Sequence, residues 1–259
     1  MKQAIIDIGS NSIRLTVYET EGQSFRILFR EKIMAGLAGY VEDGKLSAEG
    51  IECACAGLLT FRKILQTLQI ENVRIFTTAS LRNISNTARA LSVIRAATGY
   101  SVEVISGEDE ALFGYAGAMQ ELHLTGGAFL DIGGASTEIV TFEDNAPVDF
   151  AGFPIGSLSL YRRCVKKILP GDGSLKRLRQ EIGKTIDVSE GALKSRELLV
   201  GVGGTARAAL KLARHYYDIS DDCRSMTAEQ LVVSKYGVRE GYLCQRILKN
   251  NTDTPKTGS

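Results

Sequence analysis

Histidine is nearly missing from this chain: its 259 residues contain two, His123 and His215. So few imidazoles argue against a His-based zinc site and against a Ser-His-Asp triad. The five cysteines (Cys53, Cys55, Cys164, Cys223, Cys244) are odd in number and scattered, with no C-x-x-C pair. That pattern points to buried reduced thiols rather than a disulfide framework or a metal knuckle. No run of eighteen apolar residues occurs, so no transmembrane helix and no membrane partner are expected. Met1–Asp7 does not read as a secretion signal, and the expected compartment is the cytoplasm. Excess charge of one sign is lacking too: 31 Lys and Arg stand against 30 Asp and Glu, a formal net charge of +1. Nothing global therefore advertises DNA, and any site for a polyanion must be local. Neither a Walker A loop nor a G-x-G-x-x-G fingerprint is present.

What is there is an ordinary globular balance, 44% hydrophobic and 24% charged, in a chain long enough for two domains. Ala4–Gly9 is an apolar run ending at an acid. Ser12–Glu19 and Ser24–Ile33 follow it with the alternation of an antiparallel meander. From a cap at Ser47 to Gln69 the spacing of Ile51, Cys55, Leu58, Leu59, Ile64, Leu65 and Leu68 predicts a helix. Strands are predicted at Val73–Thr78 and Val102–Ser106, and helices at Asn86–Thr98 and Glu108–Leu122. A second round then begins. Strands are predicted at Ala128–Asp131, Thr137–Phe142, Val148–Phe153, Leu198–Val202 and Leu231–Ser234. Helices are predicted at Ser157–Leu169, Leu175–Asp187, Ala206–Tyr217 and Arg239–Leu248. Strands alternating with helices make this an α/β chain. Asn250–Ser259 is polar and expected to be disordered.

An internal repeat is the most informative feature. Asp7-Ile-Gly-Ser-Asn-Ser-Ile-Arg-Leu-Thr-Val-Tyr-Glu19 can be laid over Asp131-Ile-Gly-Gly-Ala-Ser-Thr-Glu-Ile-Val-Thr-Phe-Glu143. Each copy reads as strand, small-residue turn, strand. Gly9, Ser10, Asn11 and Ser12 in the first turn can aim N–H and hydroxyl groups at an anion, with Asp7 beside them. Gly133, Gly134, Ala135 and Ser136 can do the same beside Asp131. Gly203, Gly204 and Thr205 lead into a helix, whose N-terminal amides also suit an anion. Glu108-Asp109-Glu110 opens a helix, where acids compensate the dipole. Eight basic residues between Arg162 and Lys184 stand against Asp172 and Glu181. They form either a solvated helix surface or a track for a polyanion. One join is abrupt: Thr227-Ala-Glu-Gln230 reads as a helix start, yet the β-type run Val232–Ser234 follows almost at once.

Six segments in one order carry a resemblance: Asp7–Ser12, Thr78–Arg82, Val104–Ala111, Asp131–Glu138, Gly201–Thr205 and Ser234–Gly241. Together they resemble the exopolyphosphatase/guanosine-pentaphosphate phosphohydrolase (Ppx/GppA) family of the actin–Hsp70–sugar-kinase superfamily, in its short form. The resemblance implies two actin-like (ribonuclease H-like) α/β domains with an active-site cleft between them. The domains are expected at 1–126 and 127–250, the second shortened near 231–232, ahead of the 251–259 tail. It implies hydrolysis of terminal phosphates of inorganic polyphosphate with Mg²⁺ or Mn²⁺, and a homodimer. Glu110 would be the general base that holds the attacking water. Asp131 and Glu138, with Asp7 as the weaker choice, would hold the metal. Arg82 would bind phosphate together with the three glycine-containing loops.

Two positions depart from the family's pattern. Ala135 stands where the loop has a third glycine, which suits alanine only if its φ is negative. Leu112 stands where an arginine follows the Glu-Ala pair. Other readings stay open: a guanosine pentaphosphate phosphohydrolase, a non-catalytic sensor of polyphosphate or nucleotide, and an enzyme passing phosphate to a small acceptor.

Overall fold

A computed structural model describes residues 1–186, 197–217 and 230–249. The first three strands, β1 (Lys2–Ile8), β2 (Ile13–Glu21) and β3 (Ser24–Ile33), form the antiparallel meander. After a small hairpin of β4 (Val41–Glu42) and β5 (Lys45–Leu46) comes α1 (Ala48–Thr67). Ser47 caps this helix, its side chain accepting from the Gly50 amide at 3.2 Å. Such a cap contributes about 1 kcal/mol. Then follow β6 (Val73–Thr77), the single turn α2 (Ala79–Arg82), α3 (Thr87–Thr98) and β7 (Glu103–Val104). Strands β6 and β7 join β1 in parallel, giving the order β3-β2-β1-β6-β7.

Helix α4 (Gly107–Met119) leads into a second sheet with the same plan. Here β8 (Gly127–Ile132), β9 (Thr137–Glu143) and β10 (Ala146–Phe153) are antiparallel. Asp144 and Asn145 both take positive φ in the two-residue turn joining β9 to β10, as a type I′ hairpin demands. Helices α5 (Ser157–Cys164) and α6 (Asp172–Thr185) precede β11 (Leu198–Val202), α7 (Gly203–Tyr217) and β12 (Gln230–Val233). Strands β11 and β12 run parallel to β8, giving β10-β9-β8-β11-β12. The repeat in the sequence is thus a duplicated fold of three antiparallel and two parallel strands. The chain closes with α8 (Val238–Tyr242) and a π-helical stretch, Leu243–Leu248.

Two compact units divide at Ser106/Gly107 rather than at the expected 126/127, and residues 242–249 belong with the first unit. The reason is α4: Ala111, Tyr115 and Ala118 pack in one core with Phe129, Val140, Phe142, Val200 and Val202. The first unit has its own core, with Ile6, Ile8, Ile13 and Leu15 of the sheet against Leu58, Phe61 and Leu65 of α1. Helix α5 stops at Cys164, short of the expected Leu169, because Val165 is extended. Helix α7 starts at Gly203, three residues earlier than expected. The Thr227–Glu229 join and the 251–259 tail lie outside the described residues. Among the described residues no helix is long and apolar enough to cross a membrane.

Candidate active site

In the first unit the turn after β1 is closed by the Gly9 amide donating to the Ser12 carbonyl at 3.1 Å. The Ser10 carbonyl accepts from the Ala38 amide and the Asn11 carbonyl from the Gly36 amide, each at 2.9 Å. Peptide units here are trans, so the N–H that follows each of these carbonyls points the opposite way. The amides of Asn11 and Ser12 therefore face away from the 36–38 segment. Ser12 is 3% exposed, and its hydroxyl accepts from Arg14 Nε at 3.0 Å. Arg14 puts a guanidinium beside the loop, a contribution the sequence reading missed. Beneath the loop, the hydroxyls of Thr77 and Ser80 donate to the Ile8 carbonyl at 3.0 and 2.7 Å. Ser80 thus fixes the end of β1. Arg82 donates from Nη1 to the Ile105 carbonyl at 3.1 Å, which ties α2 to the segment after β7.

The second unit repeats the device. The Gly133 amide donates to the Ser136 carbonyl at 2.9 Å. The Gly133 carbonyl accepts from the Ser157 amide at 2.9 Å, and the Gly134 carbonyl accepts from the amides of Leu158 and Ser159 at 3.0 and 2.9 Å. With both carbonyls turned to the first turn of α5, the amides of Gly134 and Ala135 face the other side. Ala135 is not among the residues with positive φ, so alanine carries no backbone strain there. Gly156 supports this loop so closely that a Cβ would stand 2.6 Å from the Ala135 nitrogen. Neither Gly156 nor Ser157 was marked as a site residue by the sequence. Their only signal is a glycine and serine at a helix start.

Three acids of this unit have distinct placements. Asp131 and Glu138 are directly opposed on β8 and β9, so they share one sheet face with Cβ atoms about 5 Å apart. Glu138 is 2% exposed and Asp131 is half-buried. Gly203 has φ +81, and a Cβ on it would lie 2.8 Å from Asp131 Oδ1. The Asp131 carboxylate thus rests against the first residue of α7. The Thr205 hydroxyl donates to Ser157 Oγ at 3.4 Å, linking α7 to α5. One neighbourhood therefore holds Asp131, Gly133–Ser136, Gly203–Thr205 and Ser157, with Glu138 opposite Asp131. Glu110, 8% exposed, lies in the first turn of α4, immediately before the core residue Ala111. In the first unit the residue opposite Asp7 is Arg14, a cation.

Among the described residues no three His, Cys, Asp or Glu side chains gather as a closed metal cage. A Mg²⁺ ion does not require one, because it is held by one or two carboxylates and completes its octahedron with water and substrate phosphates. The opposed pair Asp131 and Glu138 fits that donor set.

Solved structures share the fold. An exopolyphosphatase from Cytophaga hutchinsonii superposes with a TM-score of 0.85 at 20% identity, over 96% of this chain and 98% of the other. The Ppx/GppA family member of Aquifex aeolicus gives a TM-score of 0.73 at 25% identity, over 97% and 99% of the two chains. The sequence model of the Ppx/GppA phosphatase family matches residues 16–229, most of the chain, from within β2 through the whole second strand-turn-strand unit. The protein therefore belongs to the Ppx/GppA phosphatase family.

Proposed function

We propose that the protein is an exopolyphosphatase that removes terminal phosphates from inorganic polyphosphate. The observation that supports this most directly is the second-unit neighbourhood. An outward amide edge at Gly134 and Ala135, a helix start at Gly203 and two opposed carboxylates meet there. Amides suit the equatorial oxygens of a phosphoryl group, and a carboxylate pair suits the cation that travels with it. Asp131 and Glu138 would hold the divalent ion. When bound, that ion supplies charge neutralisation across the phosphates. Within the second unit Gly134 and Ala135 offer amides to phosphate; within the first, Asn11 and Ser12 offer amides and Arg14 and Arg82 offer guanidinium groups. Glu110 acts as base, holding a water through its carboxylate and taking its proton as the phosphoanhydride breaks. Its burial at the start of α4 keeps that carboxylate on a rigid element.

Polyphosphate is favoured over a guanosine nucleotide by the surface of α5 and α6. Arg162, Lys166, Lys167, Lys176 and Arg179 are all exposed there. Arg177 is committed to the Cys164 carbonyl, and Arg163 and Lys184 lie near Glu181. Exposed cations on two helices and the segment between them suit an extended polyanion better than a single nucleotide.

The test is phosphate release from long-chain polyphosphate and from guanosine pentaphosphate, with and without Mg²⁺, for the wild type and Glu110→Gln. The expected result is Mg²⁺-dependent release, with a higher kcat/KM on polyphosphate, that falls by ~10²-fold or more in the variant. Undiminished release by Glu110→Gln removes that residue from the mechanism, and a higher kcat/KM on the nucleotide reverses the substrate assignment.

A further inference from the structure

The first unit carries a cavity of about 520 Å³ that the proposed hydrolysis does not use. It opens where the C-terminal half of α1 lies over β1, β2 and β3. Its rim holds Lys2, at the start of β1, whereas the Gly9–Ser12 loop follows the other end of that strand. It is a groove open to solvent rather than an enclosed void.

Three local features build it. First, the register between β2 and β3 slips between Val17 and Tyr18, which face Phe29 and Ile27, so Leu28 is an extra, bulged residue. A bulge can bring consecutive side chains to one side of a strand, and here both Leu28 and Phe29 line the cavity. Second, α1 ends with Gln69 at φ +54. The Ile70 amide donates back to the Leu65 carbonyl at 2.9 Å, the six-to-one bond that closes a Schellman turn. That turn returns Ile70 to the cavity beside Ile64 and Leu68. Third, Lys2 and Lys63 stand on a lining that is apolar apart from them and Thr67. Glu19, the acid opposite Lys2 in register, is engaged by Arg26 at 2.6 Å.

An apolar cavity with two ammonium groups at its edge complements an aliphatic chain that ends in one negative charge. The geometry points to a binding site for a medium-chain fatty acid, with the chain between α1 and the β2–β3 bulge and the carboxylate at Lys2 and Lys63. Leu28 and Leu68, 40% and 42% exposed, form the lip the chain passes.

The test uses the full chain with octanoate, decanoate and dodecanoate below their micelle concentrations, read by titration calorimetry, with dodecanol as the uncharged control. Saturable one-to-one binding is expected, tightening by about fourfold per methylene until the cavity is full. Dodecanoate is expected to bind about tenfold tighter than dodecanol, a preference lost in Lys2→Gln/Lys63→Gln. Leu28→Glu/Leu68→Glu changes only exposed side chains and is expected to abolish binding, with wild-type melting temperature and phosphate release. Absence of saturable binding, or binding unaffected by the leucine changes, overturns the proposal. Equal affinity for acid and alcohol in the wild type also overturns it. A changed oligomeric state in the leucine variant, without dodecanoate binding to the wild type, would assign the face to a second copy of the chain.

Discussion

Replacing Gly156 by alanine separates the work of the second-unit loop from that of its fold. Gly156 sits at φ −147 and ψ 174, extended backbone that alanine adopts freely, so the substitution adds no conformational strain. Its whole effect is steric. The new Cβ would stand 2.6 Å from both the Ala135 nitrogen and the Gly134 carbonyl carbon, and 2.7 Å from the Gly133 oxygen. Carbon contacts with such atoms settle near 3.5 Å, so the loop and α5 must part by roughly 1 Å. All three neighbours are backbone, and no side chain can swing away to relieve them. Overpacking of this kind costs about 1–3 kcal/mol, a fall of about 2–10 °C in the melting temperature of a domain this size. A displacement of about 1 Å in a positioning loop can lower turnover by ~10²-fold. The expected result is a protein that still unfolds cooperatively by calorimetry but releases phosphate at about one-hundredth of the wild-type rate. Wild-type turnover together with an unchanged melting temperature would refute the close support of the loop by Gly156.

Gly183→Ala is the complementary case: in the last turn of α6, with none of the described residues within 4 Å of its would-be Cβ, it should raise stability by about 0.5–1 kcal/mol in a urea melt and leave turnover alone. Tyr242 is 4% exposed. Burial first, then its 2.6 Å hydrogen bond to Glu103 and that group's negative charge, hold its phenol far above the ordinary range. The folded protein keeps this proton while the unfolded chain loses it near pH ~10. The resulting stabilisation is complete below pH ~10 and is lost at up to about 1.4 kcal/mol per pH unit above it. Urea midpoints of the first unit should therefore fall between about pH 10 and 11.5, less so in Tyr242→Phe, and equal slopes would contradict the assignment. Mg²⁺ should raise the wild-type melting temperature. Glu138→Gln should shrink that rise, and a rise of the same size in the variant would take Glu138 out of the metal site.

What could be read from the sequence was what local chemistry decides. Helix α1 follows from Ser47 and the spacing of Ile51, Leu58 and Leu65. The duplication follows from two matched strings around Asp7 and Asp131, and both became the same turn with the same glycine-to-serine hydrogen bond. Long-range packing was not legible. Helix α4 joins the second unit because Ala111 and Tyr115 meet Phe129 and Phe142, partners that no spacing rule pairs with them. Gly156 supports a loop some twenty residues before it. Thr78–Arg82 was noted for its arginine, yet Ser80 makes the shorter bond to the end of β1. The cavity beside α1 depends on a one-residue bulge at Leu28, which alternation alone reads as a regular strand.

The duplicated hairpins share a backbone but differ in charge. Both place an aspartate one pair in from the turn, with the cross-strand neighbour on the same face. In the first hairpin the neighbour of Asp7 is Arg14, a cation whose guanidinium also holds Ser12. In the second the neighbour of Asp131 is Glu138, and two carboxylates on one face repel unless a cation or proton intervenes. Under the proposed function, the copy with a cation neighbour would suit phosphate and the copy with two acids would suit a divalent ion. On this argument Asp7→Asn should alter phosphate affinity more than metal requirement, and Asp131→Asn the reverse. The asymmetry follows from one substitution of sign, arginine against glutamate, at equivalent positions of a repeated motif.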